Sequence, residues 1–189
     1  MVKKYEGQIH HTEESIRSLF KTRRNIYDTK RSALRMILGA ALVSTGLVAN
    51  LTLAMQGIMV MIGSWLLVSR DFPAKIAAEE ALEIRKKKKQ ALPKITTTFC
   101  DFDVKLSGEG KMQFKYNRFS RLTEDDVYFY LFLEKDSVCM IDKQSLEPNT
   151  PDKFKEYMTE KTGLEWIEIK PWFHMNIFEI IRMLKNNNR

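Results

Sequence analysis

Between Met36 and Ser69 the chain contains no Asp, Glu, Lys or Arg, although Arg31 and Arg35 precede this run and Arg70 follows it. A stretch this long without charge excludes water as its solvent and points to lipid. A single helix through the whole run would be about 50 Å long, against a hydrocarbon core of about 30 Å. Two arms fit better. Turn chemistry near the middle is confined to Asn50-Leu51-Thr52, with a softer polar stretch reaching Gln56-Gly57. The expectation is a transmembrane helical hairpin over 33–70, with arms at 33–49 and 53–69.

Cysteine is also scarce. Cys100 and Cys139 both fall in apolar, strand-like stretches and read as buried thiols rather than a disulfide. His10, His11 and His174 have no Cys or acid beside them at ligand spacing, which argues against a metal site. Asp101-x-Asp103 and Asp125-Asp126 read as acids in solvent-facing loops. Nucleophile-elbow, phosphate-loop and HExxH motifs are absent, and no ionisable group enters the apolar run to mark an ion path. The chain is therefore expected not to be an enzyme, with no catalytic residue, cofactor or metal.

The net charge of +7 is unevenly placed. Residues 1–93 carry +8 and residues 94–189 carry −1. Basicity belongs to the flanks of the apolar run: Lys21, Arg23, Arg24, Lys30 and Arg31 before it, Arg70, Lys75 and Arg85 to Lys89 after it. By the positive-inside rule both termini are cytoplasmic. A near-neutral C-terminal half lacks the basic patch that nucleic-acid binding needs, so no nucleic-acid partner is expected.

Thr12-Glu13-Glu14 reads as a helix start, and Ile16, Leu19, Phe20 and Tyr27 follow at helical spacing, giving an N-terminal amphipathic helix within 1–32. In the arms, Gly39, Ala40, Ala41, Ser44, Thr45 and Gly46, then Gly57, Gly63 and Ser64, are small residues that allow close helix approach. Gln56 and Asn50 are candidates for hydrogen bonds between the arms. Pro73 opens a linker helix within 71–92 that ends in Lys86-Lys87-Lys88-Lys89. Each lysine near an anionic leaflet contributes about 1 kcal/mol, so the tetralysine is a candidate headgroup contact.

From Pro93 the period changes to two. Ile95–Phe99, Phe102/Val104/Leu106, Met112/Phe114/Tyr116, Val127–Leu133 and Val138–Ile141 read as short antiparallel strands, with turns at Ser107–Gly110 and Glu124–Asp126. Thr150-Pro151-Asp152 then caps a helix with Phe154, Tyr157 and Met158 on one face, stopped by Gly163. Trp166 and Ile169 read as an extended segment, and Asn176 to Leu184 as a closing apolar helix.

The stretch Phe114-Lys115-Tyr116-Asn117-Arg118-Phe119, followed by Asp125-Asp126-Val127-Tyr128-Phe129-Tyr130-Leu131-Phe132-Leu133 and Met140-Ile141-Asp142-Lys143, resembles the C-terminal domain of the YcxB-like family of bacterial membrane proteins. Asp142 replaces the Pro that usually precedes the lysine. The resemblance implies a bacterial plasma-membrane protein. Its two spans would precede a cytoplasmic α+β domain over 93–189, a pleckstrin-homology-like small antiparallel β barrel or sheet capped by a C-terminal helix. It brings no established activity.

The functional expectation is a membrane-anchored binding or adaptor protein. Candidate headgroup contacts are Lys86, Lys87, Lys88, Lys89, Arg118, Arg121 and Lys143, the last alternatively paired with Glu134 or Asp136. Trp172, Phe173, Phe178 and Met183 exceed what one helix face needs to cover a core and are the candidate surface for a protein partner or a second copy. Two alternatives stand beside it: a sensor of anionic lipid or envelope stress, and a protein giving immunity to a membrane-active peptide.

Overall fold

The computed structural model describes residues 2–108, 110–133 and 137–169. It begins with a strand where an N-terminal helix alone was expected: β1, Lys3–His10. Tyr5, Gly7 and Ile9 alternate toward the core, but a glycine holds the middle apolar position, so the period-two signal is hidden in the sequence. The strand β1 pairs antiparallel with β2 (Lys94–Cys100), from Tyr5↔Phe99 to His10↔Lys94. The segment between them carries four α-helices, α1 (Glu13–Tyr27), α2 (Thr29–Val48), α3 (Leu53–Val68) and α4 (Phe72–Lys87). The hairpin is thus an insertion between two neighbouring strands of one sheet.

The chain divides into two compact units, one made of the residues up to Leu19 and those from Leu82 onward, the other beginning at Phe20 and including everything to Ala81. In the first, β3 (Asp103–Ser107) and β4 (Lys111–Lys115) extend the sheet to the order β1-β2-β3-β4. A second sheet has the order β7-β6-β5-β8, from β5 (Arg121–Glu124), β6 (Tyr128–Phe132), β7 (Val138–Asp142) and β8 (Trp166–Glu168). Strand β8 runs parallel to β5, because α5 (Pro151–Thr162) carries the chain back before it pairs. The second sheet is therefore mixed, not purely antiparallel.

The sheets meet where Glu6 and Glu147 exchange backbone hydrogen bonds of 2.8 and 2.7 Å and where Ile141 of β7 packs on Gly7. Strands β4 and β8 each have a single neighbour, so of the barrel or sheet expected the described residues form two sheets and no closed barrel. Between the sheets lies α5. Its Phe154 is fully buried, with ring centroids of Phe99 at 5.0 Å, Phe129 at 5.2 Å, Tyr5 at 5.3 Å and Trp166 at 6.3 Å. Both sheets contribute rings to one side chain, which makes α5 the wedge of the core. Pro151 sits at the start of α5 as expected, although the Thr150 hydroxyl makes no cap bond to the helix. Gly163 ends the helix at φ 68°, a conformation glycine adopts without strain.

Helix α1 starts with a reciprocal cap: the Ser15 N–H donates to Thr12 Oγ1 at 3.1 Å and the Thr12 N–H to Ser15 Oγ at 2.9 Å. Its first half joins the β unit, where the hydroxyls of Ser18 and Tyr130 both donate to Asp125 Oδ2, at 3.2 and 2.6 Å. Asp125 is fixed in turn by accepting the N–H groups of Val127 and Tyr128.

In the second unit α2 and α3 are antiparallel arms joined by a four-residue turn at 49–52. Among the described residues, two helices are long and apolar enough to cross a membrane, Thr29–Val48 and the continuous run Leu53–Lys87. Of the glycines in the arms, three make the contact. A Cβ on Gly39 would stand 3.0 Å from the Gly63 carbonyl oxygen, one on Gly63 2.7 Å from that of Gly39, and one on Gly46 2.9 Å from Val60. Gly57 faces open space. Gln56 Nε2 donates to the Ala49 carbonyl at 3.0 Å and so holds the turn.

Candidate functional site

Lys143 stands where β7 ends, and its ammonium donates to Glu124 Oε2 at 2.7 Å while lying 4.9 Å over the Phe129 ring. Lys155 of α5 pairs with the other Glu124 oxygen. Only 8% of the Glu124 side chain is exposed. Burial by itself would raise its carboxyl, but the hydrogen bonds from Lys143 and Lys155 and their charges outweigh that and hold it below the usual carboxylate range. The pairing sites named in the sequence, Glu134 and Asp136, lie outside the described residues. No periodic signal links Glu124 to residues 19 and 31 positions away, so this cluster was not legible in the sequence.

Arg118 closes a short 3-10 turn after β4 and lines an open groove of about 560 Å³ with Met112, Gln113, Phe114, Lys115, Asn117, Leu133 and Ser137. Arg121 opens β5 opposite Phe132, toward the same end of the sheet. Ser137, at that end, and Lys143 flank the two ends of β7, a separation of about 20 Å at the rise of a strand. The three candidate headgroup residues therefore do not form one site.

The tetralysine is partly engaged. Lys86 pairs with Glu13 at 2.8 Å, a hydrogen bond and charge that hold the Glu13 carboxyl below its usual range, and Lys87 lies 3.6 Å from Glu83. Lys88 and Lys89 form the exposed turn that leaves α4. There the Gln90 N–H donates to Arg85 O and the Lys89 N–H to Lys86 O, both at 3.0 Å, a Schellman cap whose left-handed position is held by Lys89 at φ 51°. Trp172, Phe173, Phe178 and Met183, with the helix expected over Asn176 to Leu184, lie outside the described residues.

Chemically reactive groups are subdued in the described residues. Cys139 is buried against Thr97 Oγ1 at 3.1 Å, and burial pushes its thiol up to about 12. Tyr116 and Tyr157 both donate to the Cys100 carbonyl, at 2.7 and 2.9 Å, and burial raises both phenols. No group of three His, Cys, Asp or Glu among the described residues is placed to hold a metal ion.

Two apolar helices inserted into a two-sheet domain whose core is wedged by α5 define the class of protein. Residues 102–158 match the family model described as YcxB-like protein, so the chain carries a YcxB-like domain, as the resemblance implied. The match takes in β3 to β7 and most of α5, and leaves out β1, β2 and the hairpin. No curated protein and no solved structure matches the chain.

Proposed function

We propose that the chain is a non-enzymatic, membrane-anchored binding module whose two-sheet domain, read as pleckstrin-homology-like, takes an extended segment of a protein partner along β4. The observation that carries this is the single-neighbour edge of β4 opening into the groove beside Met112, Phe114 and Leu133. Such an edge presents a row of backbone donors and acceptors that only another extended chain satisfies in register, and the flanking apolar pockets select its alternate side chains. Met112 is 63% exposed there, available to a partner.

The anchoring half of the proposal rests on the hairpin. Pairing of β1 with β2 requires both ends of the inserted segment to emerge on one side, the geometry that two membrane spans give and one does not. The basic flanks on that side favour the cytoplasmic face of a bacterial plasma membrane.

A photo-crosslinking residue at Met112 in the full chain, expressed in cells, tests the binding reading. The expected result is a discrete adduct from position 112, none from exposed Val127, and loss of the adduct when Ser137→Trp fills the groove. No adduct at 112, or equal adducts at 112 and 127, would rule the groove out.

A further inference from the structure

Arg24 Nε, near the end of α1, is shut off from solvent and has no hydrogen-bond partner among the described residues. Buried guanidinium donors are normally satisfied, and an orphan of this kind points to a missing acceptor. The charged groups acting on Arg24 are Arg35 of α2, Asp28 between α1 and α2, and Asp71 and Arg70 in the 3-10 turn Ser69–Asp71. Arg70 crosses from the end of α3 to the start of α2: its Nε donates to Asp71 Oδ1 at 2.9 Å, one Nη lies 4.0 Å from Met36 Sδ, and the side chain is 16% exposed. Two guanidiniums and two carboxylates thus act on the Arg24 guanidinium. A guanidinium does not deprotonate in proteins, so each of the three stays charged.

We propose that Arg24, Arg35 and Arg70 form a binding site for a phosphate group, occupied in the membrane by the phosphodiester of an anionic lipid headgroup. A phosphodiester oxygen supplies the acceptor that Arg24 Nε lacks. Guanidinium forks suit its planar pairs of oxygens, whereas Asp28 and Asp71 hold the forks apart and repel carriers of higher negative charge. Position selects the source. Arg35 and Arg70 directly bound the charge-free run, and the approach of Arg70 to Met36 brings those two ends together, where phosphates lie if the hairpin spans the bilayer as proposed above.

The test uses the full chain in nanodiscs of phosphatidylcholine and phosphatidylglycerol, extracted into mild detergent for native mass spectrometry. The wild type is expected to retain one phosphatidylglycerol, and Arg24→Gln to lower its occupancy about tenfold or more, as loss of a charge-assisted hydrogen bond does. Arg24→Lys, with charge but no fork, falls between. Asp71→Asn raises occupancy, a gain that a merely structural Arg24 would not predict and a readout that survives if Arg24→Gln fails to fold. The double variant Lys86→Gln and Lys87→Gln is expected to change nothing, which separates a built site from general attraction to an anionic surface. A second arm adds inorganic phosphate to lipid-free micelles. A rise in melting temperature in the wild type and not in Arg24→Gln identifies free phosphate as a competent source, and no rise beside retained lipid identifies the headgroup. Equal lipid retention by wild type and Arg24→Gln, or no gain in Asp71→Asn, overturns the site. Neither outcome bears on the β4 groove, which shares no residue with it.

Discussion

Ile141 of β7 occupies the space in which a Cβ on Gly7 of β1 would stand, so closely that any side chain at position 7 must displace it. The glycine is thus a packing requirement, and it ties the N-terminal strand to the second sheet as well as the first. Gly7→Val is expected to cost about 3 kcal/mol through overpacking. Thermal unfolding of the purified full chain checks this, with accelerated proteolysis near β2 as the accompanying sign. A melting temperature equal to the wild type's would show that β1 is not part of the domain core.

The hairpin makes a similar demand at a different place. Gly63→Ala sets a methyl against the backbone oxygen of Gly39 and forces the arms apart, at an expected cost of about 1 to 2 kcal/mol. Gly57→Ala meets open space and is expected to stay within about 0.5 kcal/mol of the wild type. Denaturation of both variants in the same micelles separates them. Equal effects would contradict the assignment of Gly63, and not Gly57, to the interface.

Glu124→Gln leaves Lys143 and Lys155 facing a neutral amide and is expected to destabilise the β unit by about 3 kcal/mol. The pH dependence has a defined sign. Because the folded-state carboxyl lies below its ordinary value of 4.5, its contribution is complete above that value and is lost as pH falls through the depressed folded-state value. Wild-type stability should therefore decline more steeply below pH 4.5 than that of Glu124→Gln, and parallel melting curves against pH would count against the cluster.

Lys89 occupies a left-handed position that glycine takes without penalty. Lys89→Gly is expected to raise stability by about 1 kcal/mol while removing one charge from the tetralysine. Measured together, melting temperature and vesicle binding show whether the lysine is kept for its charge: a gain in the first with a loss in the second supports that role, and a gain in the first alone denies it.

Much of this architecture is written locally. A charge-free run bounded by arginines gives the apolar arms and their turn at 49–52, since hydropathy and turn chemistry act over a few residues. Alternation gives β2, β3, β4, β6 and β7 but not β5, whose Glu124 reads as part of a turn, and Pro151 with Gly163 brackets α5 because fixed φ and positive φ are properties of those residues themselves. Distance along the chain hides the rest. The pairing of β1 with β2 joins segments separated by the whole hairpin, and a glycine in the middle of β1 removes the apolar repeat that would have announced a strand.

The candidate sites divide along the same line. Lys86 to Lys89 and Lys143 stand out as charges in sequence, but Glu13 and Glu124, which engage Lys86 and Lys143, are selected only when helices and strands pack. Arg24, Arg35 and Arg70 belong to separate elements and read in sequence as ordinary basic flanks. Composition and periodicity by themselves determined where the chain is apolar, where the hairpin turns and most of the strands and helices, β1 and β5 apart, because those preferences are local. Tertiary structure alone decided that, among the described residues, β4 and β8 keep a single neighbour each, that glycines 39, 46 and 63 rather than 57 face the partner arm, and that the buried Arg24 Nε is left without an acceptor. Such facts depend on contacts between distant residues, whose free energies exist only once the chain has folded.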